Sequence, residues 1–214
     1  ASGAINMVRK KPTAQFQASV EGEVGSRDER RGLADIAGPL NEAGSLRGRM
    51  VALYEEGDSI VDNYSRDKKV IYGVLEADLA SGTKLTAGVT HQRNRSKGSL
   101  SYLGFPLFYD NGVMTKLPRS FSPAAASNRF GSNSTDVFAT LEHALANDWK
   151  LKISANRVQS SQEERSAFIN VSGGFPNQLT GDGLRMSADY RDYQLRVNSV
   201  DVNVRGPFSA FGRQ

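Results

Sequence analysis

From Gln15 to Val24 the chain alternates without a break, with Phe16, Ala18, Val20, Gly22 and Val24 on one side and Gln15, Gln17, Ser19, Glu21 and Glu23 on the other. A strand sends successive side chains to opposite faces, and a helix does not repeat every second residue, so this stretch is a long strand with one apolar face. A polar tip, Gly25 to Arg30, then reverses the chain into a second run where Gly32, Ala34, Ile36, Gly38 and Leu40 share a face. A strand with one apolar side needs neighbours of the same kind, and the sequence supplies them one after another.

The turn Asn41-Glu42-Ala43-Gly44 has Asn and Gly where positive φ is wanted. A third strand is expected from about Leu46 to Glu56, with less clear parity, since Met50, Ala52 and Tyr54 oppose Val51 and Leu53. The charged stretch from Gly57 to Lys69 breaks the pattern. A fourth strand sets Ile71, Gly73, Leu75, Ala77 and Leu79 against Tyr72, Val74, Glu76 and Asp78, and the turn Ala80 to Thr83 leads into a fifth, where Leu85, Ala87, Val89 and His91 align. Between Arg93 and Ser134 no period is sustained and Gly, Pro, Ser and Asn abound, which predicts a long loop. The sixth strand aligns Val137, Ala139, Leu141, His143 and Leu145; after a turn at Ala146 to Trp149, the seventh aligns Leu151, Ile153 and Ala155. A second long polar loop is expected from about Ser160 to Ser187. In the last strand, about Ala188 to Arg205, the apolar parity switches from Tyr193, Leu195 and Val197 to Val200, Val202 and Val204, and this predicts a β-bulge near Asn198-Ser199. The fold class is all-β, an antiparallel up-and-down meander of about eight strands.

The connections themselves alternate. They are short at Asn41, Ala80 and Ala146 but long at Gly57, Arg93 and Ser160, with only the tip at Gly25 brief on the long side. Transmembrane β-barrels have this asymmetry, with short periplasmic turns and long extracellular loops. Composition permits it: the 214 residues are 38% hydrophobic with no apolar run near the length of a membrane helix, while a barrel strand needs only every second residue to meet lipid. The 27 basic and 23 acidic residues are interspersed rather than gathered in a basic stripe, so no nucleic-acid partner is expected. With no Cys and two His, the chain has no disulfide framework and no thiolate metal site, and little from which to build structural zinc. The start carries no charged region followed by an apolar core, so no signal peptide is expected there, and the N-terminus is read as lying inside a longer protein.

Two strings place the chain in a family. Asn6-Met7-Val8-Arg9-Lys10-Lys11-Pro12-Thr13 and Gly38-Pro39-Leu40-Asn41-Glu42-Ala43-Gly44-Ser45-Leu46-Arg47-Gly48-Arg49 resemble the end of the plug and an early barrel turn of TonB-dependent outer-membrane siderophore receptors. The resemblance implies that residues 1–13 end the plug domain and that 14–214 are the N-terminal part of a barrel of about 22 strands. It also makes the short turns periplasmic and places the protein in the bacterial outer membrane. The implied function is reception and transport of a ferric siderophore, energised by TonB through an upstream segment not in this chain, with outer-membrane lipid around the barrel and iron present only inside the ligand. No covalent chemistry and no cofactor are implied. The competing expectation, from a different class, is a soluble or surface-displayed all-β binding module with long ligand-binding loops.

No catalytic constellation has useful spacing. His91 and His143 lie mid-strand and far apart, Glu163-Glu164 and Asp189/Asp192 have no partner base, and no phosphate-cradling glycine motif occurs. Catalytic and metal residues are therefore expected to be absent. The informative cluster is Tyr102-Leu-Gly-Phe105-Pro106-Leu-Phe108-Tyr109 in the long loop, since aromatics gathered in a loop are poorly explained as core. Tyr102, Phe105, Phe108, Tyr109 and Arg129 are the candidate siderophore-binding residues, with Arg93, Arg95, Lys97, Lys116 and Arg119 as further cations for an anionic chelate. At the plug exit, Arg9, Lys10 and Lys11 are candidates to pair with inward carboxylates such as Glu21 and Glu76. Trp149, on a periplasmic turn, stands where an aromatic girdle residue is expected.

Overall fold

In the computed structural model, which describes residues 8–98, 105–171 and 174–208, the described chain is eight strands with no helix. They are β1 (Gln17–Val24), β2 (Arg30–Pro39), β3 (Leu46–Asp58), β4 (Ser65–Ala80), β5 (Thr83–Lys97), β6 (Arg129–Ala144), β7 (Lys150–Val171) and β8 (Leu184–Arg205). Each pairs antiparallel with the next, so one sheet holds all eight in sequence order. This is the expected meander, and among the described residues no second sheet packs on it as a sandwich would require.

Directly paired residues share a face. Ser19, Asp35, Val51, Tyr72, Thr90, Asp136, Val158 and Val197 form one such row across the sheet. Burial concentrates on this face, at Asp35, Ala37, Val51, Tyr72, Val74, Glu76 and Phe138; residues 8–13 lie against it at Asp35, Tyr72, Asp136 and Phe138, and we call it the inner face. The opposite face carries Val20, Ile36, Met50, Ile71, Leu75, Val137, Val200 and Val202, all exposed. Large apolar side chains outside and charges inside invert the arrangement of a water-soluble sheet, and match a barrel wall whose outer solvent is lipid.

The short ends are tight turns with local causes. Asn41 Oδ1 accepts from Leu46 N at 3.1 Å while Gly44 takes φ +65°, Gly82 takes +72°, and Asn147 and Asp148 take +57° and +60°. Trp149 caps the last of these, its indole lying so close over Gly206 that any side chain there would collide with the ring.

At the other end the strands run further than expected. The third strand continues to Asp58 and the fourth begins at Ser65, so the charged stretch shrinks to residues 59–64. The two long loops contract to 98–128 and 172–183. Above the membrane neither face meets lipid, so paired strands can continue with polar residues on both sides, and the period that marks a strand in sequence vanishes while the hydrogen bonds persist. The same reason removes the expected bulge. Pairing of β7 with β8 is unbroken from Lys150↔Arg205 to Val171↔Leu184. Val200, Val202 and Val204 face outward near the short-turn end, whereas Tyr193, Leu195 and Val197 face inward higher up, where the outward positions have become Asn198, Arg196 and Gln194. The switch in parity records the strand leaving lipid. The register shift that does occur lies between Asp78 and Ala80, beside a turn.

Candidate functional site

Residues 8–13 cross the inner face and are held there one residue at a time. Arg9 Nη2 meets Asp136 Oδ2 at 2.8 Å, and its guanidinium lies 4.2 Å from the centre of the Phe138 ring. Lys10 Nζ meets Asp35 Oδ2 at 2.8 Å, while its carbonyl accepts from the Tyr72 hydroxyl at 2.5 Å. The carbonyl of Lys11 accepts from Arg49 Nη1 at 3.0 Å. Arg49 also grips Asp35 with both arms, Nε to Oδ1 at 2.8 Å and Nη2 to Oδ2 at 2.6 Å, the planar fork for which arginine is suited. Asp136 is oriented in turn by Asn156 Nδ2, and Tyr72 stacks on Phe138 with ring planes 11° apart.

Pairing of this basic segment with inward carboxylates is thus correct in kind and different in partner. Glu76 is buried and taken by Arg47 at 3.0 Å and Lys84 at 3.3 Å, with Asp78 adding to Arg47 at 2.9 Å. Glu21 faces Arg31 at 3.5 Å. Parity identifies the face of a carboxylate but not its height: Asp35 and Asp136 share the row on which the segment lies, whereas Glu76 lies in another row, between Arg47 and Thr86.

The second assembly is at the long-loop end. Residues 107–115 form a small hairpin inside the loop, with Tyr109 N donating to Val113 O and Thr115 N to Leu107 O, both at 2.9 Å, and Gly112 at φ +77°. Of the candidate residues, Tyr102 lies outside the described residues. Phe105 meets Phe121 edge-to-face at 5.5 Å, and Phe108 meets Phe175 of the β7–β8 connection in the same manner at 6.5 Å. Tyr109 lies half-buried in the hairpin. Asp110 N donates to Pro176 O at 3.0 Å and Asp110 Oδ2 accepts from Asn177 Nδ2 at 2.8 Å, so the two loops are joined. Asp62 N donates to Ser120 O at 2.7 Å, which brings in the β3–β4 connection as well.

Sequence reasoning missed the residue at the root of this assembly. Asn128 is 1% exposed; its Oδ1 accepts from Ala167 N at 2.7 Å and its carbonyl from Gly98 N at 3.0 Å, fastening the loop to β7 and to its own entrance. Gly98, at φ +63°, lies against the backbone of Asn63, where a Cβ has no room. An isolated Asn or Gly carries no periodic signal, so only the folded loop reveals them. Arg129 is placed on the outward parity and donates to the carbonyls of Ala126 and Asn128 at 2.8 and 2.7 Å. Arg93, Arg95 and Lys97 are strand residues of β5 on that same outward parity, whereas Lys116 and Arg119 remain exposed in the loop.

The histidines and paired carboxylates have structural partners. His91 Nδ1 bonds the Thr135 hydroxyl at 2.9 Å and His143 Nδ1 that of Thr83 at 2.8 Å, each across a strand pair. Glu163 pairs with Arg165 at 3.0 Å, and Glu164 and Asp189 both face Arg191. Among the described residues no cluster of three or more His, Cys, Asp or Glu is arranged to hold a metal ion.

A meander with an apolar outer wall, a charged inner wall crossed by a basic chain segment, and long loops at one end defines a class: the TonB-dependent outer-membrane receptors, of which this chain is a homologue along its whole length. Within that class it is 36% identical over 211 residues to the ferripyoverdine receptor of Pseudomonas aeruginosa, an alignment taking in 98% of this chain and 25% of that receptor. It is 34% identical over 213 residues to the ferric-pyoverdine BN7/BN8 receptor of Pseudomonas putida, covering 100% of this chain and 26% of that protein. The crystal structure of the P. aeruginosa outer-membrane ferripyoverdine receptor bound to ferripyoverdine superposes with a TM-score of 0.88 at 36% identity, over 96% of this chain and 27% of that one. The chain spans about a quarter of the length of these curated relatives, which are receptors rather than enzymes. No protein-family profile matches it.

Proposed function

We propose that residues 1–13 are the end of a plug domain and 14–214 the first strands of a barrel, in a receptor that takes up a ferric siderophore of the pyoverdine class. The observation that carries this reading is the clamp on residues 8–13: a chain segment inside a barrel wall, tied to β2, β3, β4 and β6 by charge-assisted and backbone hydrogen bonds, in a chain 36% identical to a ferripyoverdine receptor. The joined loops 105–128 and 174–183 present the paired aromatics Phe105, Phe108 and Phe175 at the extracellular end, where a flat, conjugated chelate has faces to pack on. Uptake then needs no bond-making. The chelate binds from outside, and TonB, acting through a segment outside this chain, opens a path past the plug.

The test uses the complete receptor in a strain deleted for its own siderophore receptors. Growth on iron-limited medium should be restored by ferric pyoverdine and abolished when TonB is deleted. Restoration without TonB, or no restoration by any ferric pyoverdine while the receptor is present in the outer membrane, overturns the reading.

A further inference from the structure

The β5–β6 and β7–β8 connections meet at a polar junction that contains the only asparagine of the chain followed by glycine, Asn111-Gly112. These are the last two residues of the reversal 110–112, which Gly112 closes by donating its N–H to Tyr109 O at 3.0 Å from a φ of +77°. The amide of Asn111 is tied at both atoms. Its Oδ1 accepts from Val113 N at 3.0 Å, and its Nδ2 donates across the junction to Gln178 Oε1 at 2.9 Å. The first of these bonds is an Asx turn, in which the side chain reaches the backbone two residues on. That turn folds Cγ back over the peptide nitrogen between them, which belongs to Gly112, and polarises the Cγ carbonyl. Both residues are exposed to water, and nothing lies within 4 Å of where a Cβ on Gly112 would stand, so no neighbouring group blocks the approach.

We propose that Asn111 is a modification site, deamidated by attack of the Gly112 nitrogen when the junction with Gln178 opens, and that the isoaspartate product keeps the junction open. Asparagine is among the chemically labile side chains, and here the reacting atoms are already neighbours. Gly112 N–H gives its proton to hydroxide, the nitrogen bonds to Asn111 Cγ, and the Cγ–Nδ2 bond breaks, releasing ammonia with a proton returned from water. Water then opens the cyclic imide at Cγ, giving aspartate, or at the main-chain carbonyl, giving isoaspartate, in which the backbone runs through Cγ. The net change is one water consumed and one ammonia lost. The closed junction opposes this chemistry, because the Gly112 N–H is donated to Tyr109 and the leaving Nδ2 to Gln178. Aspartate adds a charge beside Asp110, whose Oδ2 already accepts from Asn177 Nδ2 at 2.8 Å. Isoaspartate does more, since it lengthens the main chain inside a reversal whose hydrogen bonds are set by its length. The chemistry rests on loop geometry alone and is independent of what the receptor carries.

The experiment keeps the complete receptor in detergent micelles at neutral and at mildly alkaline pH, samples it over time and digests it with trypsin. The peptide ending at Lys116 is then resolved by liquid chromatography and mass spectrometry into asparagine, aspartate and isoaspartate forms. Conversion is expected at Asn111, faster at the higher pH because the attacking nitrogen must lose its proton. None is expected at Asn133 or Asn198, each followed by serine but held in β6 and β8. Gln178→Ala should speed conversion about fivefold, the worth of one neutral hydrogen bond in the open fraction, and unfolding in urea should speed it further. In the isoaspartate fraction the amides of Tyr109, Asp110 and Thr115, all donors in the closed loops, should lose exchange protection. No conversion at Asn111 in Gln178→Ala overturns the site, and equal rates in the folded receptor, the variant and urea overturn the control by the junction. Isoaspartate with exchange protection intact overturns the consequence. Should Gln178→Ala lose the heat-resistant mobility of a folded barrel, Asn177→Ala opens the same junction by removing the bond to Asp110, and an unchanged rate there refutes the proposal.

Discussion

Replacing Asp35 with asparagine tests the clamp at its centre. The carboxylate is 8% exposed and joins two cations of unequal burial, Arg49 at 18% and Lys10 at 53%. The amide keeps the size of the side chain and one acceptor oxygen, but it removes the negative charge and turns the other oxygen into a donor, leaving the Arg49 guanidinium in a largely dry place with only neutral acceptors, the amide oxygen and the Lys11 carbonyl. Breaking a buried ion pair by removing one partner costs about 3–5 kcal/mol, whereas the half-exposed Lys10 pair is worth at most about 1 kcal/mol. The loss should therefore come mainly from Arg49, in the barrel wall, and only slightly from Lys10, in the crossing segment. Double-mutant cycles on the complete receptor separate the two: Asp35→Asn with Arg49→Met, and Asp35→Asn with Lys10→Met, followed by urea midpoints in detergent. We expect a coupling of about 3 kcal/mol or more for Arg49 and about 1 kcal/mol or less for Lys10. Equal couplings, or a larger one for Lys10, would refute the burial argument. Hydrogen exchange supplies the functional half of the test. If Asp35 fastens the crossing segment, amides of residues 8–13 should lose protection in Asp35→Asn even under conditions where β3 and β4 keep theirs.

Other perturbations read other parts of the chain. Leu75→Arg places a charge at the middle of the outward apolar band and should cost about 2–4 kcal/mol in folding into vesicles, while Thr86→Arg, one strand over on the inner face beside Glu76, should cost far less in the same assay. Gly98→Ala forces a side chain into positive φ against Asn63 and should destabilise the root of the long loop by about 1–3 kcal/mol, read as faster proteolysis between residues 98 and 128 with the barrel band intact. Phe175→Ala removes the edge-to-face partner of Phe108, worth about 0.5–1.5 kcal/mol beyond area; exchange protection in the 107–115 hairpin should fall, and ferric pyoverdine should bind more weakly. Unchanged affinity with a loosened hairpin would separate loop packing from chelate recognition.

The contrast between the two faces has a common cause. A lumen-facing charge is shielded from bulk water by the wall and by whatever crosses the lumen, so it needs a fixed partner, and the Arg49–Asp35–Lys10 and Lys84–Glu76–Arg47 groups provide one. An outward charge above the apolar band is more exposed, and where the sheet supplies it a partner, as Glu163 does for Arg165 at 3.0 Å, both members of the pair remain open to solvent.

Much of the architecture was written in the order of residues. Alternation fixes which side chains share a face, Asn and Gly at 41, 44, 82 and 147 mark the reversals, and the unequal connections separate the two ends of the barrel wall. These are local matters, settled by a period of two and by backbone conformations that few residues adopt. Height on a face is not local. It follows from how far each strand slides against its neighbour, and that is why the partners of Arg9 and Lys10 proved to be Asp136 and Asp35 rather than Glu21 or Glu76. The strand extensions beyond the membrane were hidden for a related reason: with water on both sides, hydrogen bonding continues while the apolar period stops, and the change of parity in β8 mimics a bulge. The partners of the loop aromatics were hidden too, since Phe175 reaches Phe108 only because β6, β7 and β8 bring their distant ends together. Sequence alone determined the turns of this protein and the faces of every strand but β3 and β8; the tertiary structure decided those two and which residues meet across the sheet, because register and shear belong to the whole sheet and to no single strand.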